Sequence, residues 1–290
     1  MKLSTRLILL VLGCLLPILA AQVYSQVNLH HARQAQVSAL VLRQAELANA
    51  NLGTVVDAVT QLWTTVVQFP EVPAAGPRCD ARLTSLQRDL PQYRFLALYR
   101  VDGTLLCGSA AAPGVSIDGH PQWLADLATT SGVQVGPLVS TETPGSAFLP
   151  VGIHVPGVAT EPDPRVLVAA LDAGWLARRL EAARSDDSGP LTHATLIVAD
   201  HDGAVVAWLN DGKDAGGQSL PVWARPFVNR QTRGVATVTD PQGRAYIAAY
   251  VPATGAARGL GVIETVALSK VTADIDRATY QDLAVIAGPR

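Results

Sequence analysis

Between Val41 and Phe69 the apolar and small residues fall at Val41, Ala45, Ala48, Leu52, Val55, Val59, Leu62, Val66 and Phe69, alternating steps of four and three. This heptad stripe lies in a stretch, 27–69, with no proline and one glycine, and it predicts a long helix over 27–70. Pro70 and Pro73 end it, because proline removes the next helical donor and clashes with the preceding turn. The stripe has two readings: packing along the chain's own globular part, or a homodimer seam. Ala45 and Ala48 make an isolated coiled coil weak.

Further along, the period changes from 3.6 to 2. FLALYRVDGTLLCGS from Phe95 and TLIVADHDGAVVAWL from Thr195 are each two apolar runs joined by Asp-Gly, offset by 100 residues. Asp102-Gly103 and Asp202-Gly203 read as type I′ hairpin turns, since glycine reaches positive φ without steric cost. Gly145-Ser146-Ala147-Phe148 likewise parallels Gly243-Arg244-Ala245-Tyr246, each opening a strand that ends at Val155-Pro156 or Val251-Pro252. Then PRVLVAALDAGWLARRL from Pro164 and LGVIETVALSKVTADID from Leu260 each run from strand into helix. The fold class is therefore α+β: two tandem units, each with an antiparallel sheet of about five strands. SDDSGP, 185–190, is short, polar and turn-rich and separates them.

At the N-terminus, Lys2 and Arg6 precede an uncharged run from Leu7 to Tyr24. Eighteen residues make a helix of about 27 Å, enough for a thin bilayer. The run is read as an uncleaved signal-anchor over 1–26 that exports the rest of the chain; a signal peptide cleaved near Ala20 and Ala21 is the rival reading. Cys14 sits mid-run and is read as an inert thiol. Export leaves Cys79 and Cys107 in an oxidising compartment. Read as a disulfide, the pair closes a 28-residue separation and is worth roughly 3 kcal/mol; the other reading is two buried thiols.

Charge and composition narrow the function. Lys and Arg total 22 and Asp and Glu 24, a net charge of −2, so a basic nucleic-acid footprint is excluded. Charged residues make up 16% against 49% hydrophobic, which gives ample core and excludes a disordered chain. No Gly-x-Ser-x-Gly elbow or Walker loop is present, and His30-His31, His193 and His201 lack metal-ligand spacing. No enzyme, cofactor or metal is expected. The C-terminal 269–290 reads as a helix to Asp282 followed by LAVIAGPR, too few apolar residues to span a bilayer.

A membrane anchor, a long helix and two PAS-like units in tandem resemble the double Cache sensor domain. Its local marks are the Asp-Gly hairpins, HPQWLADLATTSGVQVGPLV from His120 and AALDAGWL from Ala169. The resemblance covers 27–282. It implies an extracytoplasmic domain on a bacterial inner-membrane receptor, the input part of a histidine kinase or diguanylate cyclase. A small organic solute would bind the membrane-distal unit, 71–184, and the proximal unit, 191–268, would relay the signal toward a second membrane helix. The resemblance also places the binding site. Trp123 fits an aromatic ligand contact, while His120 stands where an arginine would clasp a carboxylate, a departure that weakens an amino-acid ligand. Asp172 matches an amine-gripping position, or else caps the helix after it. By strand alternation Phe148, Pro150, Gly152 and His154 share the pocket face, and Leu149, Val151, Ile153 and Val155 the opposite one. His154 is read first as a half-exposed strand residue, the other readings being a ligand contact or a pH-sensitive group. The alternative function is an envelope protein-binding or structural module whose Cache-like units are empty. Trp208, Trp223, Phe227, Tyr246 and Tyr250 are assigned by default to the second unit's core, a second pocket there being the other reading, for which the sequence offers no support.

Overall fold

The structure, a computed structural model, describes residues 3–109, 121–130, 132–140, 146–155, 164–184, 194–209, 217–228 and 230–269, with only the backbone for 3–33 and 121. The side chains of the Leu7–Tyr24 run, the 185–190 connection and the C-terminal helix beyond Ser269 lie outside them. Among the described residues no helix is long and apolar enough to cross a membrane.

Helix α1 spans Leu3–Val66. From Val41 onward its side chains belong to one compact body. There the buried positions are Val41, Ala45, Ala48, Leu52, Val56, Val59, Trp63 and Val66. The steps are 4, 3, 4, 4, 3, 4 and 3, close to the 3.6-residue turn of a straight helix. The strict heptad expectation holds to Leu52 and then slips by one: Val56 and Trp63, not Val55 and Leu62, are buried. A straight helix drifts against a 3.5 repeat, so a helix lying along its own sheets follows the 3.6 period. These positions are buried within a single chain. α1 tightens into 3-10-type bonds, Gln68 N–H to Thr65 O and Phe69 N–H to Val66 O, before Pro70 closes it.

Two short helices follow, α2 (Glu71–Ala74) and α3 (Pro77–Asp89), the latter with Pro77 in its first turn, where a missing N–H costs nothing. The first sheet comprises β1 (Tyr93–Arg100), β2 (Leu105–Gly108), β3 (Val133–Val135), β4 (Phe148–Val155) and β5 (Arg165–Asp172), in spatial order β2-β1-β5-β4-β3. Helix α4 (Pro121–Thr129) precedes β3, and α5 (Ala173–Ala183) follows β5. The second sheet comprises β6 (Thr195–Asp200), β7 (Val205–Leu209), β8 (Gly234–Thr239), β9 (Ala245–Pro252) and β10 (Leu260–Ala267), in order β7-β6-β10-β9-β8. Its one described helix before β8 is α6 (Arg225–Val228). Every pairing is antiparallel, and the strand order of the two sheets is identical. The repeat in the sequence is thus a repeat in space.

The Asp-Gly hairpins stand at equivalent corners of the two sheets, but they are not type I′ turns. Gly103 and Gly203 have φ of +87° and +81°, whereas Ala75 is the only non-glycine with positive φ among the described residues. Gly103 N–H bonds Arg100 O while Arg100 N–H bonds Thr104 O, and Gly203, Asp200 and Ala204 repeat the pattern. This is a three-residue loop whose last glycine forms a bulge. An aspartate stabilises each: Asp102 Oδ1 accepts Thr104 N–H at 2.8 Å, and Asp200 Oδ1 accepts Ala204 N–H at 2.8 Å.

The first sheet is clamped to α3 by the Cys79–Cys107 disulfide, with Cα atoms 6.0 Å apart, and by Asp80, whose Oδ1 accepts Gly108 N–H at 2.8 Å. Toward α1, the fully buried Trp63 donates its Nε1–H to Val151 O of β4 at 3.2 Å. Glu46 of α1 pairs with Arg233 beside β8.

Candidate functional site

The face of the first sheet that turns away from Trp63 holds Phe95, Ala97 and Tyr99 of β1, Phe148 of β4, and Val166, Val168 and Ala170 of β5. Leu124 and Leu127, one turn apart on α4, cover it, with Trp123 packed alongside. Two glycines let the indole approach. A Cβ on Gly136 would lie 2.7 Å from Trp123 Cε2, and one on Gly152 would lie 2.8 Å from Leu127 Cδ1 and 3.2 Å from Trp123 Cη2. Phe95 and Phe148 meet edge to face at 5.3 Å. Trp123 and Phe148 therefore belong to one apolar cluster. Among the described residues, the buried Trp123 Nε1 has no hydrogen-bond partner. A buried donor left without an acceptor costs about 1–3 kcal/mol.

The other residues singled out in the sequence are dispersed. His154 is half-buried near the end of β4, opposite Val166. Asp172 pairs with Phe148 at the far end of the sheet. Its Oδ1 accepts Trp175 N–H at 2.6 Å as the N-cap of α5, and its Oδ2 takes Arg94 Nε–H at 2.8 Å. Both oxygens are thus engaged by the chain itself. Asp172→Ala is expected to cost about 1–2 kcal/mol through loss of the cap, read as a lower urea midpoint at an unchanged slope. His120 lies outside the described residues.

The second sheet's equivalent face is built differently. By register, Tyr250 of β9 faces Ile263 of β10 where Gly152 faces Val168 in the first sheet, and Pro252 faces Gly261 where His154 faces Val166. Phe227, Leu220 and Ala224 cover part of this face. However, α6 has four residues against nine in α4. Beside Val228 a cavity of about 460 Å³ opens, with Ala199, Tyr250, Gly261 and Ile263 as its floor. Gly261 is what admits the Tyr250 ring, since a Cβ there would lie 2.7 Å from Tyr250 Cε2. Burial holds the Tyr250 hydroxyl above its ordinary pKa, so it remains a donor at neutral pH, 3.5 Å from Val228 O.

The polar part of this cavity is cationic. Arg230 and Arg258 line it and are exposed, with the Arg230 guanidinium 5.2 Å from the Phe227 ring centroid. Among the described residues neither has a carboxylate partner. Asp200 also lines the cavity, but it is 2% exposed and its oxygens are taken by the N–H groups of Asp202, Ala204 and Leu138 at 3.1, 2.8 and 2.9 Å. Among the described residues no group of three His, Cys, Asp or Glu could hold a metal ion. Sequence reasoning missed Arg230, Arg258 and Asp200; its assignment of Tyr250 to the core holds, and the same ring also lines the cavity. Its one available signal was the pair of glycines in Arg258-Gly259-Leu260-Gly261, since glycine in a strand marks a close approach.

No family model matches the chain, and no curated protein matches it in sequence. Solved structures do resemble it. The ligand-binding domain of the Pseudomonas fluorescens chemoreceptor CtaA, solved with L-isoleucine, has a TM-score of 0.59 at 14% identity, covering 84% of this chain and 97% of that one. The ligand-binding domain of the Pseudomonas aeruginosa PAO1 amino acid chemoreceptor PctB, solved with L-Arg, has a TM-score of 0.60 at 14% identity, covering 82% and 91%. The extracellular domain of rpHK1S-Z16, a protein assigned as a histidine kinase, has a TM-score of 0.57 at 15% identity, covering 82% and 97%. At these identities the likeness is one of fold: the chain has the two-sheet architecture of extracellular ligand-binding domains from histidine kinases and chemoreceptors, as expected of a double Cache sensor.

Proposed function

We propose that this chain is the extracytoplasmic input domain of a bacterial transmembrane receptor, of the histidine kinase or diguanylate cyclase type, and that it senses a small organic solute. The observation that carries this reading is one five-strand sheet order built twice on a single long helix, in the fold of known ligand-binding domains. Binding is the role these residues fit, in keeping with the ligand-binding domains the fold resembles. The first unit takes the solute against Trp123, whose buried indole N–H has no acceptor among the described residues, a role that a solute's carbonyl or carboxylate oxygen would fill. His154 at the end of the same strand face contributes a second polar contact, and His120 a third. Asp172 serves the helix cap and not the solute. The solute must bind two arrangements of the long helix unequally, or no signal is transmitted.

The reading of an empty, partner-binding module has one observation in its favour: Trp123 and Leu127 fill the face that would hold a solute. Thermal unfolding of the full chain in detergent micelles, with a panel of amino acids, organic acids, amines and sugars, separates the two. A cognate solute at a hundred times its Kd adds about 2.7 kcal/mol and raises the midpoint by several degrees. Trp123→Phe, which keeps the ring packing and removes the donor, then weakens binding about tenfold. A panel without any shift favours the empty module.

A further inference from the structure

We propose that the second unit holds its own site, for a small organic carboxylate, in the cavity between Tyr250 and the arginines 230 and 258. The inference deepens the sensor reading and rests on it. It assigns a ligand class to a place where that reading put only a relay.

Three features of the cavity point to this chemistry. First, its volume of about 460 Å³ falls in the range of small-molecule pockets. Second, its floor is apolar and aromatic, with Ala199, Ile263 and the Tyr250 ring, so a bare inorganic anion would leave that surface uncovered. Third, the charge is one-sided. Two guanidiniums without carboxylate partners among the described residues line the cavity, and the one acid among the described residues of its wall, Asp200, is committed to three backbone N–H groups. Planar guanidinium forks match a carboxylate, and an ionised acceptor makes the stronger hydrogen bonds.

The cavity also adjoins the seam between the two sheets. Asp200 accepts its third hydrogen bond from Leu138 of the first unit, and the 3-10 turn Gly255–Ala257, between the lining residues Ala253 and Arg258, packs against β3. An occupant therefore sits beside the contacts through which one sheet feels the other.

The test is calorimetry on the full chain in detergent micelles with propionate, succinate and benzoate, each against its amide, and with inorganic phosphate. At least one carboxylate is expected to bind at least tenfold more tightly than its amide and than phosphate. Arg230→Gln and Arg258→Gln change exposed side chains and leave the melting midpoint of the unliganded protein in place. Each is expected to weaken that binding about tenfold, while Trp123→Phe leaves it unchanged. Equal binding of acid and amide, phosphate binding as tight as the carboxylate, or arginine variants that bind like the parent would overturn the proposal. Loss of binding in Trp123→Phe would move the carboxylate to the first unit, overturning the proposal and leaving the sensor reading intact. If no carboxylate binds while another solute raises the melting midpoint, the proposal alone fails; if no solute of any class does so, both fail.

Discussion

Trp63→Ala is expected to destabilise the folded chain by about 3–5 kcal/mol, the range for emptying a fully buried aromatic site. Trp63 has no exposed surface, and it is the largest of the fully buried side chains. Its Nε1–H also reaches Val151 O, so the substitution removes a hydrogen bond between α1 and β4 as well as the packing. Trp63→Phe separates the two losses. It keeps most of the apolar contact, and for the hydrogen bond itself about 1 kcal/mol is expected. Urea unfolding followed by circular dichroism reads both variants, as lower midpoints at unchanged slope. If α1 lay beside the sheets without supporting them, Trp63→Ala would move the midpoint by no more than an exposed substitution does. The pair matters for function because Trp63 ties the long helix to the strand whose other face meets Trp123.

The second large effect is a dependence of stability on pH that one residue dominates. Glu264 lies mid-way along β10 and is 1% exposed. Burial pushes its carboxyl up to about 7, and the attraction of Arg184, whose Nη2 lies 2.9 Å from Oε1, offsets only part of that rise. In the unfolded chain the same group titrates near 4.5. Between these values the folded form binds more protons than the unfolded form, so stability is greatest below about 4.5 and falls as pH rises through 7. The fall amounts to about 3 kcal/mol. Glu264→Gln, which imitates the protonated acid, is expected to match the parent near pH 4.5 and to exceed it by about that amount at pH 8. Arg184→Ala removes the one opposing attraction and moves the midpoint of the fall above 7. Urea midpoints between pH 4.5 and 8.5 measure this; parallel curves for parent and Glu264→Gln would refute it.

Much of the fold is legible in the chain because its signals are local. The two Asp-Gly corners, the paired strand openings at Phe148 and Tyr246 and the strand-to-helix junction at Asp172 follow from alternation and turn chemistry over a few residues. Where sequence reasoning slipped, it slipped by one residue: Val56 and Trp63 replace Val55 and Leu62, because a 3.5-residue repeat and a 3.6-residue helix diverge after a few turns. The hairpins were located correctly but given the wrong turn, because a two-residue loop and a three-residue loop ending in glycine share the same Asp-Gly pair. The cavity was out of reach for a different reason. Empty space depends on how distant segments meet, and Arg230 and Arg258 are brought to one cavity by the fold across 28 positions of sequence.

The account stands on a small solute occupying one of two equivalent sheet faces, and ring resonances report on both. A ¹H–¹⁵N spectrum of the full chain should contain five indole N–H peaks, one for each tryptophan, and an aromatic ¹H–¹³C spectrum reads the tyrosine rings. On titration with the solute that most raises the melting midpoint, the account predicts a saturable shift either of the Trp123 indole or of the Tyr250 ring, with the Trp63 indole following as the long helix responds. A stabilising solute that leaves both Trp123 and Tyr250 unmoved would contradict it.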